Sequence, residues 1–220
     1  MDTAKSNSVK TVLLVAVVAI CSAALVTASY DFSKNRITAN ERARLLRSLN
    51  SVLPPAVSKR NPNPVRIRVR DPKLLGSEAP VNVFVALANG RALATVFASV
   101  APDGYNGPIK LLVGVSADGV LTGVRAVSEH ETPGLGDRIA IDKSDWILQF
   151  NGKSLGDPPL ERWAVDKDGG SFDSITGATI TPRAVVKAVK NTLLYFKQNK
   201  QALLLEALRA QRKQGSAIDE

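Results

Sequence analysis

Hydrophobic residues are concentrated in one unbroken stretch near the N-terminus. Residues 11–30 read TVLLVAVVAICSAALVTASY and carry no charge, with Lys10 before them and Asp31 after them. At ~1.5 Å per residue a helix of this length extends ~30 Å, the hydrocarbon thickness of a bilayer. We therefore expect a transmembrane helix over 11–30, preceded by a short segment over 1–10. The alternative is a cleaved signal peptide, although the stretch exceeds the ~7–15 apolar residues of such signals.

The hydrophobic pattern after the span changes to helical spacing. Over 38–53, apolar residues recur every three or four positions and charged residues fill the opposite face, which predicts an amphipathic helix. Pro54 and Pro55 end this helix, because proline lacks the N–H group that would continue it. Residues 31–60 are thus predicted to be an amphipathic helix and a linker.

Alternating and β-branched segments then predict antiparallel strands. Residues 65–69 read VRIRV, an apolar–basic alternation typical of a half-exposed strand. Asn89-Gly90 separates two apolar runs and is a strong hairpin signal, and Asp118-Gly119 separates two more. The four runs are 81–89, 91–100, 109–115 and 120–127. We therefore expect two antiparallel hairpins.

The last third of the chain mixes loops with helices. The patterns predict a short helix over 138–149, an edge strand over 162–165, and a long helix from Pro182 to about Arg209. Hairpins that are separated along the chain from helices favour the α+β class. We expect one α+β domain over 61–210, with antiparallel hairpins and flanking helices, followed by a polar tail over 211–220.

Composition and charge exclude several classes of function. The chain has 220 residues, of which 45% are hydrophobic and 22% are charged, so it is globular. One Cys and one His exclude a disulfide framework, a cysteine-rich zinc module, a cysteine-ligated iron–sulfur cluster and a multi-histidine metal site. The net charge of +9 is spread thinly, without interleaved aromatic residues, which argues against nucleic acid as a partner. No metal site is expected, and any redox chemistry requires a bound organic cofactor.

The stretch 173–182, DSITGATITP, contains the most informative residues. Thr181 is a good N-cap and Pro182 is a favoured first helical residue, so a helix is expected to begin there. The free N–H groups and the positive end of the helix dipole at such a terminus suit a phosphate. The hydroxyl groups just ahead of the helix belong to Thr176, Thr179 and Thr181.

Small residues leave this turn sterically open. Gly177 and Ala178 present no bulk between the hydroxyl groups and an approaching ligand. The pattern therefore permits an anion-binding turn. The alternative interpretation is a helix cap with a polar lead-in and no ligand.

Three blocks of sequence resemble a known family. Residues 173–179 match Asp-x-x-Ser/Thr-Gly-Ala-Thr, which resembles the signature of the FMN-binding domain in the G subunit of the Rnf electron-transport complex and in the C subunit of the sodium-pumping NADH:quinone reductase. The segments GYNGPI at 104–109 and HETPGLG at 130–136 resemble two further blocks of that family. The resemblance extends from the span to the last helix, and the short chain is more similar to the Rnf protein. The Asn/Pro/Arg-rich stretch 61–70 departs from it.

The resemblance implies a cofactor and its attachment point. The family holds FMN through a phosphoester bond to the last threonine of the motif, which corresponds to Thr179, and a separate flavin transferase makes the bond from FAD. The protein is implied to be an electron carrier without catalytic residues of its own. The other positions implied to contact or frame the flavin are Asp173, Thr176, Gly177, Ala178, Thr181, Glu131, Thr132, Gly134, Leu135 and Tyr105.

The resemblance also implies a cellular setting. It predicts a single-pass protein of the bacterial inner membrane, in contact with lipid, whose main domain faces the periplasm. Electrons would pass to or from the flavin and iron–sulfur subunits of a complex that couples electron transfer to ion translocation. Two alternatives stay open: the quinone-reductase protein, and a membrane-tethered module that binds a phosphate ligand without redox chemistry.

The charge pattern around the span points the other way. Two basic residues precede the span and five follow it, which by the positive-inside rule would keep the domain in the cytoplasm. That rule applies to short loops, and long domains are exported largely regardless of their charge. The cations counted are Lys5, Lys10, Lys34, Arg36, Arg42, Arg44 and Arg47.

Overall fold

Five antiparallel strands form one sheet in the computed structural model, which describes residues 47–59 and 64–216. The strands lie side by side in chain order, each hydrogen-bonded to the next. Their bounds are β1 Val65–Val69, β2 Val81–Ala88, β3 Arg91–Ala101, β4 Ile109–Ser116 and β5 Leu121–Ser128. The sheet and the helices packed against it confirm the predicted α+β class.

Both predicted hairpins are confirmed. β2 and β3 are joined at Asn89 and Gly90, whose φ angles of 51° and 72° are the left-handed values that a type I′ turn requires. β4 and β5 pair across a turn in which Gly119 has a φ of 82°. The predicted strand at 65–69 is confirmed as well, with buried Val and Ile alternating with exposed Arg.

The described helices other than the last one are short. Residues 47–50 are helical, α1 spans Pro55–Ser58, and α2 spans Pro72–Leu75 between β1 and β2. The predicted transmembrane helix 11–30 and most of the predicted helix 38–53 lie outside the described residues. Within the part of the chain that the structure describes, no helix combines the length and apolar character needed to cross a membrane.

One face of the sheet packs against a long helix, α3, which spans Ile180–Ser216. The ring of Phe97 on β3 meets the ring of Phe196 edge-on, with their centroids 6.2 Å apart. The buried hydroxyl groups of Ser99 and Thr192 form a hydrogen bond of 2.8 Å between the same two elements. These contacts fix the position of the helix on the sheet and therefore the position of its first turn.

Residues 47–58 pack against the centre of the opposite face of the sheet. Val52 is fully buried in the same apolar cluster as Phe84 of β2. It lies directly over Gly114 of β4, where a Cβ atom would meet the Val52 carbonyl oxygen at 2.2 Å. The Thr122 hydroxyl donates a hydrogen bond to that carbonyl. The segment is thus attached to the centre of this face.

The long helix differs from its predicted limits at both ends. It begins at Ile180 rather than at Pro182, because a proline in the first turn lacks only an N–H group that has no intrahelical partner there. It continues beyond the predicted end at Arg209 to Ser216. The added residues 210–213, AQRK, are good helix formers, which explains the extension.

Two other predicted elements are wrong. The predicted helix 138–149 is two 3-10 helices, Gly136–Ile139 and Asp145–Phe150, because the Ser144 hydroxyl accepts the N–H of Trp146 and starts a new turn. The predicted edge strand 162–165 makes only one isolated bridge, from Val165 to Phe172. Further 3-10 helices occupy this region at Leu160–Arg162 and Asp166–Asp168.

Candidate functional site

A cavity of about 320 Å³ opens at one end of the sheet, in front of the first turn of α3. Three segments surround it: the loop between β3 and β4, the loop that follows β5, and the turn that precedes α3. The residues that line it are Tyr105, Glu131, Thr132, Leu135, Gly136, Gly177, Ala178, Thr179, Ile180 and Thr181. The fold therefore brings together all three sequence blocks singled out by resemblance.

The turn before α3 approaches the loop after β5 closely. The Ala178 N–H donates to the Ile175 carbonyl at 3.0 Å, which closes the turn. Gly177 has a φ of 82°, and a Cβ atom there would lie 2.9 Å from Cδ2 of Leu135. The left-handed backbone favours glycine at this position, whereas the exposed end of the Leu135 side chain could move to admit a Cβ atom.

Thr179 is the residue immediately before α3. It lines the cavity and adjoins the first helical turn, whose N–H groups have no partner within the helix. Its hydroxyl has no hydrogen-bond partner among the described residues. A phosphate attached there would meet the positive end of the helix dipole, which stabilises negative charge.

Thr181 does not have the role that the sequence suggested. It was predicted to be the N-cap, but α3 begins at Ile180 and Thr181 lies inside the first turn. Its side chain is buried and its hydroxyl donates to a carboxylate oxygen of Glu131. A hydroxyl that is already donated to a neighbouring carboxylate is not available as the attachment point for a ligand.

Glu131 connects two of the three segments around the cavity to the helix. Its side chain is only 4% exposed and accepts the N–H groups of Tyr105 at 3.3 Å and Asn106 at 3.1 Å in addition to the Thr181 hydroxyl. The N–H of Glu131 donates to the Glu129 carboxylate at 2.6 Å. These contacts make Glu131 a partner of the loop backbone. It also lines the cavity.

Apolar side chains are exposed at the cavity mouth. Tyr105 is 64% exposed, Leu135 39% and Ile180 46%. Large apolar side chains left open to solvent around a cavity indicate a binding surface for an apolar or planar ligand. The sequence pattern gave no sign that Ile180, just before the predicted helix, would face a cavity. Neither Ile180 nor Gly136 was predicted to be a site residue, although both line the cavity.

Asp173 and Thr176 lie on the other side of the same turn. They line a neighbouring cavity of about 340 Å³ together with Arg138 and Trp146. The Asp173 N–H donates to Oε1 of Gln149 at 2.7 Å, and the Asp173 carbonyl accepts the indole N–H of Trp146 at 2.7 Å. These bonds hold the turn in place. Gly134 is exposed in the loop after β5, and it too is outside the group of residues that line the first cavity.

Two aspartates of the 3-10 helix Asp166–Asp168 bind that segment to the turn before α3 and to α3 itself. Hydrogen bonds from Ser174, and then from Lys167, hold the pKa of Asp166 below its ordinary value. The Arg183 guanidinium makes two hydrogen bonds of 2.6 Å to Asp168 and lowers the pKa of that carboxyl. Both carboxylates are exposed, so these are surface contacts that orient the loop. Among residues 47–59 and 64–216, no group of His, Cys, Asp or Glu side chains has the arrangement of a metal site.

The chain matches two protein-family models and many curated proteins. The FMN-binding domain model matches residues 104–194, and the RnfG N-terminal region model matches residues 1–52. The relatives include the G subunit of the ion-translocating oxidoreductase complex of Pseudomonas aeruginosa, which is 47% identical over 205 residues, a match that covers 93% of this chain and 96% of the relative. The corresponding protein of Vibrio atlanticus is 45% identical, with 89% and 93% covered. That of Shewanella loihica is 43% identical, with 91% and 94% covered.

Proposed function

Because the chain belongs to the RnfG family, the G subunits of ion-translocating oxidoreductase complexes, we propose that it carries electrons through an FMN that is bound covalently to Thr179. The family model for an FMN-binding domain covers the segments that surround the cavity. The bond would be a phosphoester between the Thr179 hydroxyl oxygen and the FMN phosphate. When bound, FMN supplies one- and two-electron redox chemistry.

The observation that carries the choice of Thr179 is the different surroundings of the three motif threonines. The Thr181 hydroxyl is buried and donated to Glu131. Thr176 lines the neighbouring cavity on the far side of the turn. Thr179 alone among the three lines the 320 Å³ cavity with a hydroxyl that no other described residue engages.

The residues present fit an FMN. The first turn of α3 offers backbone N–H donors beside Thr179, as a phosphate requires. Tyr105, Leu135 and Ile180 give an apolar border at the cavity mouth on which a planar ring can rest. The cavity volume of about 320 Å³ lies in the range of small-molecule sites. Glu131 would keep the loop that carries Tyr105 in position beside the ring.

We propose further that a flavin transferase makes the bond from FAD. The Thr179 oxygen would form a bond to the FMN phosphorus while the bond between that phosphorus and the AMP oxygen breaks. AMP would leave, and the hydroxyl proton would pass to solvent or to a base of the transferase. This chain would then supply the acceptor hydroxyl and the exposed turn that presents it.

The test removes the proposed acceptor hydroxyl and nothing else. The full-length chain is purified from its native host as the wild type, as Thr179→Val and as Ser174→Ala. Valine matches the shape of threonine, and Ser174 is a hydroxyl residue of the same turn at a variable motif position. We expect yellow fluorescence that survives SDS gel electrophoresis in the wild type and in Ser174→Ala, and its complete loss in Thr179→Val.

Intact-mass measurement and peptide mapping complete this experiment. The wild type should carry one FMN phosphoester on the peptide that contains Thr179, and protein from a host without the transferase should be folded and carry none. Covalent flavin on Thr179→Val would show that another residue is the acceptor. A wild type without covalent flavin that still binds phosphate compounds would favour the non-redox module instead.

We also propose that residues 11–30 span the bacterial inner membrane once, with the described domain in the periplasm. The uncharged stretch is long enough for one crossing. The match of residues 1–52 to the RnfG N-terminal region supports a segment that the relatives share. The other subunits of the complex, membrane lipid and the flavin transferase would be the partners of the chain.

A further inference from the structure

All of the charged side chains in the five strands are cationic. The strands contain no Asp and no Glu, although the whole chain has 20 acidic residues against 29 basic ones. Sheet surfaces that face water normally carry both signs, since neighbouring like charges repel. A sheet with one sign of charge therefore calls for an explanation.

The strand register puts four of these cations on one face. Arg66 is paired with Phe84, whose side chain lies under residues 47–58, and directly paired residues point to the same side of a sheet. Arg68 shares that face because it lies two positions further along β1. Arg125 is paired with Leu112, which belongs to the same apolar cluster as Phe84.

Lys110 is the fourth cation on this face. It lies two positions before Leu112 on β4, so both side chains point to the same side. At ~4.8 Å between neighbouring strands, Arg68 on β1 and Arg125 on β5 are ~19 Å apart across the sheet. The four cations are thus spread across this face of the sheet rather than gathered in one cluster.

Residues 47–58 cover only part of this face. They lie over Phe84 and Gly114 near its centre. The remaining part contains Ala98 and Val100, which are small and half-exposed. We call this part the basic sheet face, and its residues are Arg66, Arg68, Asn82, Ala98, Val100, Lys110 and Arg125.

Ion pairing distinguishes the cations of the basic sheet face from other cations on the surface. Within the described ranges of the chain, none of Arg66, Arg68, Lys110 and Arg125 forms an ion pair. Elsewhere on the surface, by contrast, Arg70 pairs with Glu78 at 3.2 Å. Arg125 is half-buried, and burial lowers the pKa of its guanidinium. A cation that is partly removed from water without a counter-charge is costly, and a carboxylate from outside would offset that cost.

The basic sheet face extends to the end of the sheet that carries the cavity. β3 ends at Ala101 and β5 ends at Ser128, and the loops that contain Tyr105 and Glu131 follow them. Lys110 is paired with Ser128 in the last row before these loops. A partner that covered this face would therefore be adjacent to the loops of the cofactor site.

We propose that the basic sheet face is the docking surface for an acidic surface of another protein chain in the complex, next to the cofactor. The inference rests on the proposed function for the identity of the complex. Unpaired arginines bind carboxylates in a fixed, two-bonded geometry, and complementary charge accelerates the association of electron-transfer partners. The small residues between the cations allow a flat protein surface to approach closely. The face has no exposed aromatic residue of the kind found at lipid interfaces, which favours a protein over a membrane.

The first test measures association with the complex. Full-length chain in detergent is added to the complex purified from a host that lacks this protein, at low and at high salt. The test variant combines Arg68→Gln, Lys110→Gln and Arg125→Gln, and a second variant carries only the two changes at the exposed residues Arg68 and Lys110. The control variant combines Lys143→Gln, Lys197→Gln and Lys200→Gln, three cations outside the five strands.

The control has the same net charge as the triple test variant, so only the position of the charges differs. We expect the triple test variant to bind ~10-fold more weakly at low salt and to lose most of its salt dependence, and the control to bind like the wild type. The affinity of the double variant should lie between those of the triple test variant and the control. Equal binding by the test and control variants would overturn the proposal.

The second test identifies what covers the face in the assembled complex. A photo-crosslinking amino acid is placed at Asn82 or at Ala98, with Ala202 on the exposed side of α3 as the control position. We expect crosslinks from the two sheet positions to one protein chain, at a site flanked by Asp or Glu. Crosslinks to phospholipid, or none above the control position, would overturn the proposal.

Flavin content separates this proposal from the preceding one. The charge variants should retain covalent flavin on an SDS gel, because none of the changed residues lines the cavity. Weak docking with full flavin content would support the basic sheet face as a docking surface. If the wild type carried no flavin yet showed the same charge-dependent binding, the docking surface would stand and the assignment of FMN to Thr179 would fall.

Discussion

Glu131 organises the site at the scale of single residues. Its carboxylate accepts two backbone N–H groups and one hydroxyl group, and these come from two separate parts of the chain. Because the side chain is 4% exposed, water cannot replace a donor that loses its partner. Its contribution is therefore to hold the loop of Tyr105 against the first turn of α3.

Replacing Glu131 by Gln should destabilise the protein by about 1–3 kcal/mol. The amide keeps the shape of the side chain, but its NH₂ group would face at least one N–H or O–H donor and leave that donor unpaired. The free energy of unfolding is measured by urea titration of the full-length chain in detergent. Glu161→Gln serves as the control, because Glu161 is exposed, and it should change stability by less than ~0.5 kcal/mol. Equal stabilities of the two variants would contradict the role assigned to Glu131.

The sequence predicted the composition of the site better than its internal contacts. The three blocks could be recognised because each is a local pattern of residues, and the fold brings residues from all three to one cavity. The position of Thr181 inside the first turn of α3 could not be predicted, since its hydroxyl bonds to the Glu131 carboxylate, fifty positions earlier in the chain. The exposure of Ile180 at the cavity mouth likewise follows from tertiary packing.

At the scale of elements, local signals determined which predictions were correct. The hairpins were predictable because Asn89-Gly90 fixes the backbone of its own turn. The 3-10 helices were not, because the segment 138–149 has apolar residues at helical spacing and its interruption at Ser144 comes from one side-chain bond. The packing of residues 47–58 on the sheet depends on Gly114, which leaves room for the Val52 carbonyl. A glycine within a strand does not indicate which distant segment will pack against it.

Replacing Gly114 by Ala should lift residues 47–58 away from the sheet. The new Cβ atom would lie 2.2 Å from the Val52 carbonyl oxygen and 2.5 Å from the Thr122 hydroxyl oxygen, so the hydrogen bond between them would break. We expect a loss of ~2 kcal/mol in the free energy of unfolding and faster amide exchange in residues 47–58.

Gly156→Ala is the matched control for this change. A Cβ atom at Gly156 would have no neighbour closer than 4.0 Å, so its effect should be within ~0.5 kcal/mol. Suppose that Gly114→Ala were as stable as the control and showed no faster amide exchange in residues 47–58. The contact of Val52 with Gly114 would then not be what holds this segment on the sheet.

At the scale of the whole molecule, charge is unevenly distributed. The net charge is +9, and the strands contribute only cations while the acidic side chains lie outside them. Such an excess affects association with partners and says little about fold.

A fusion after Glu220 tests the sidedness of the main domain. An alkaline phosphatase fusion, which is active only after export, should be active, and a fluorescent protein fusion that folds only in the cytoplasm should be dark. The reason is that a long domain after a single span is exported largely regardless of its charge. The two fusions are controls for each other, and the reverse pattern would put the flavin on the cytoplasmic side while leaving the Thr179 assignment intact.

The distance along the chain between the segments of the cavity determines when a cofactor can be attached. Tyr105, Glu131 and Thr179 become neighbours only after the sheet has formed and α3 has packed on it through contacts such as Ser99 with Thr192. Contacts between distant segments form late in folding, because the loops between them must close first. The covalent attachment proposed for Thr179 would therefore follow synthesis and folding of the whole domain. The presence of covalent flavin would then mark those molecules that had already folded to the native state.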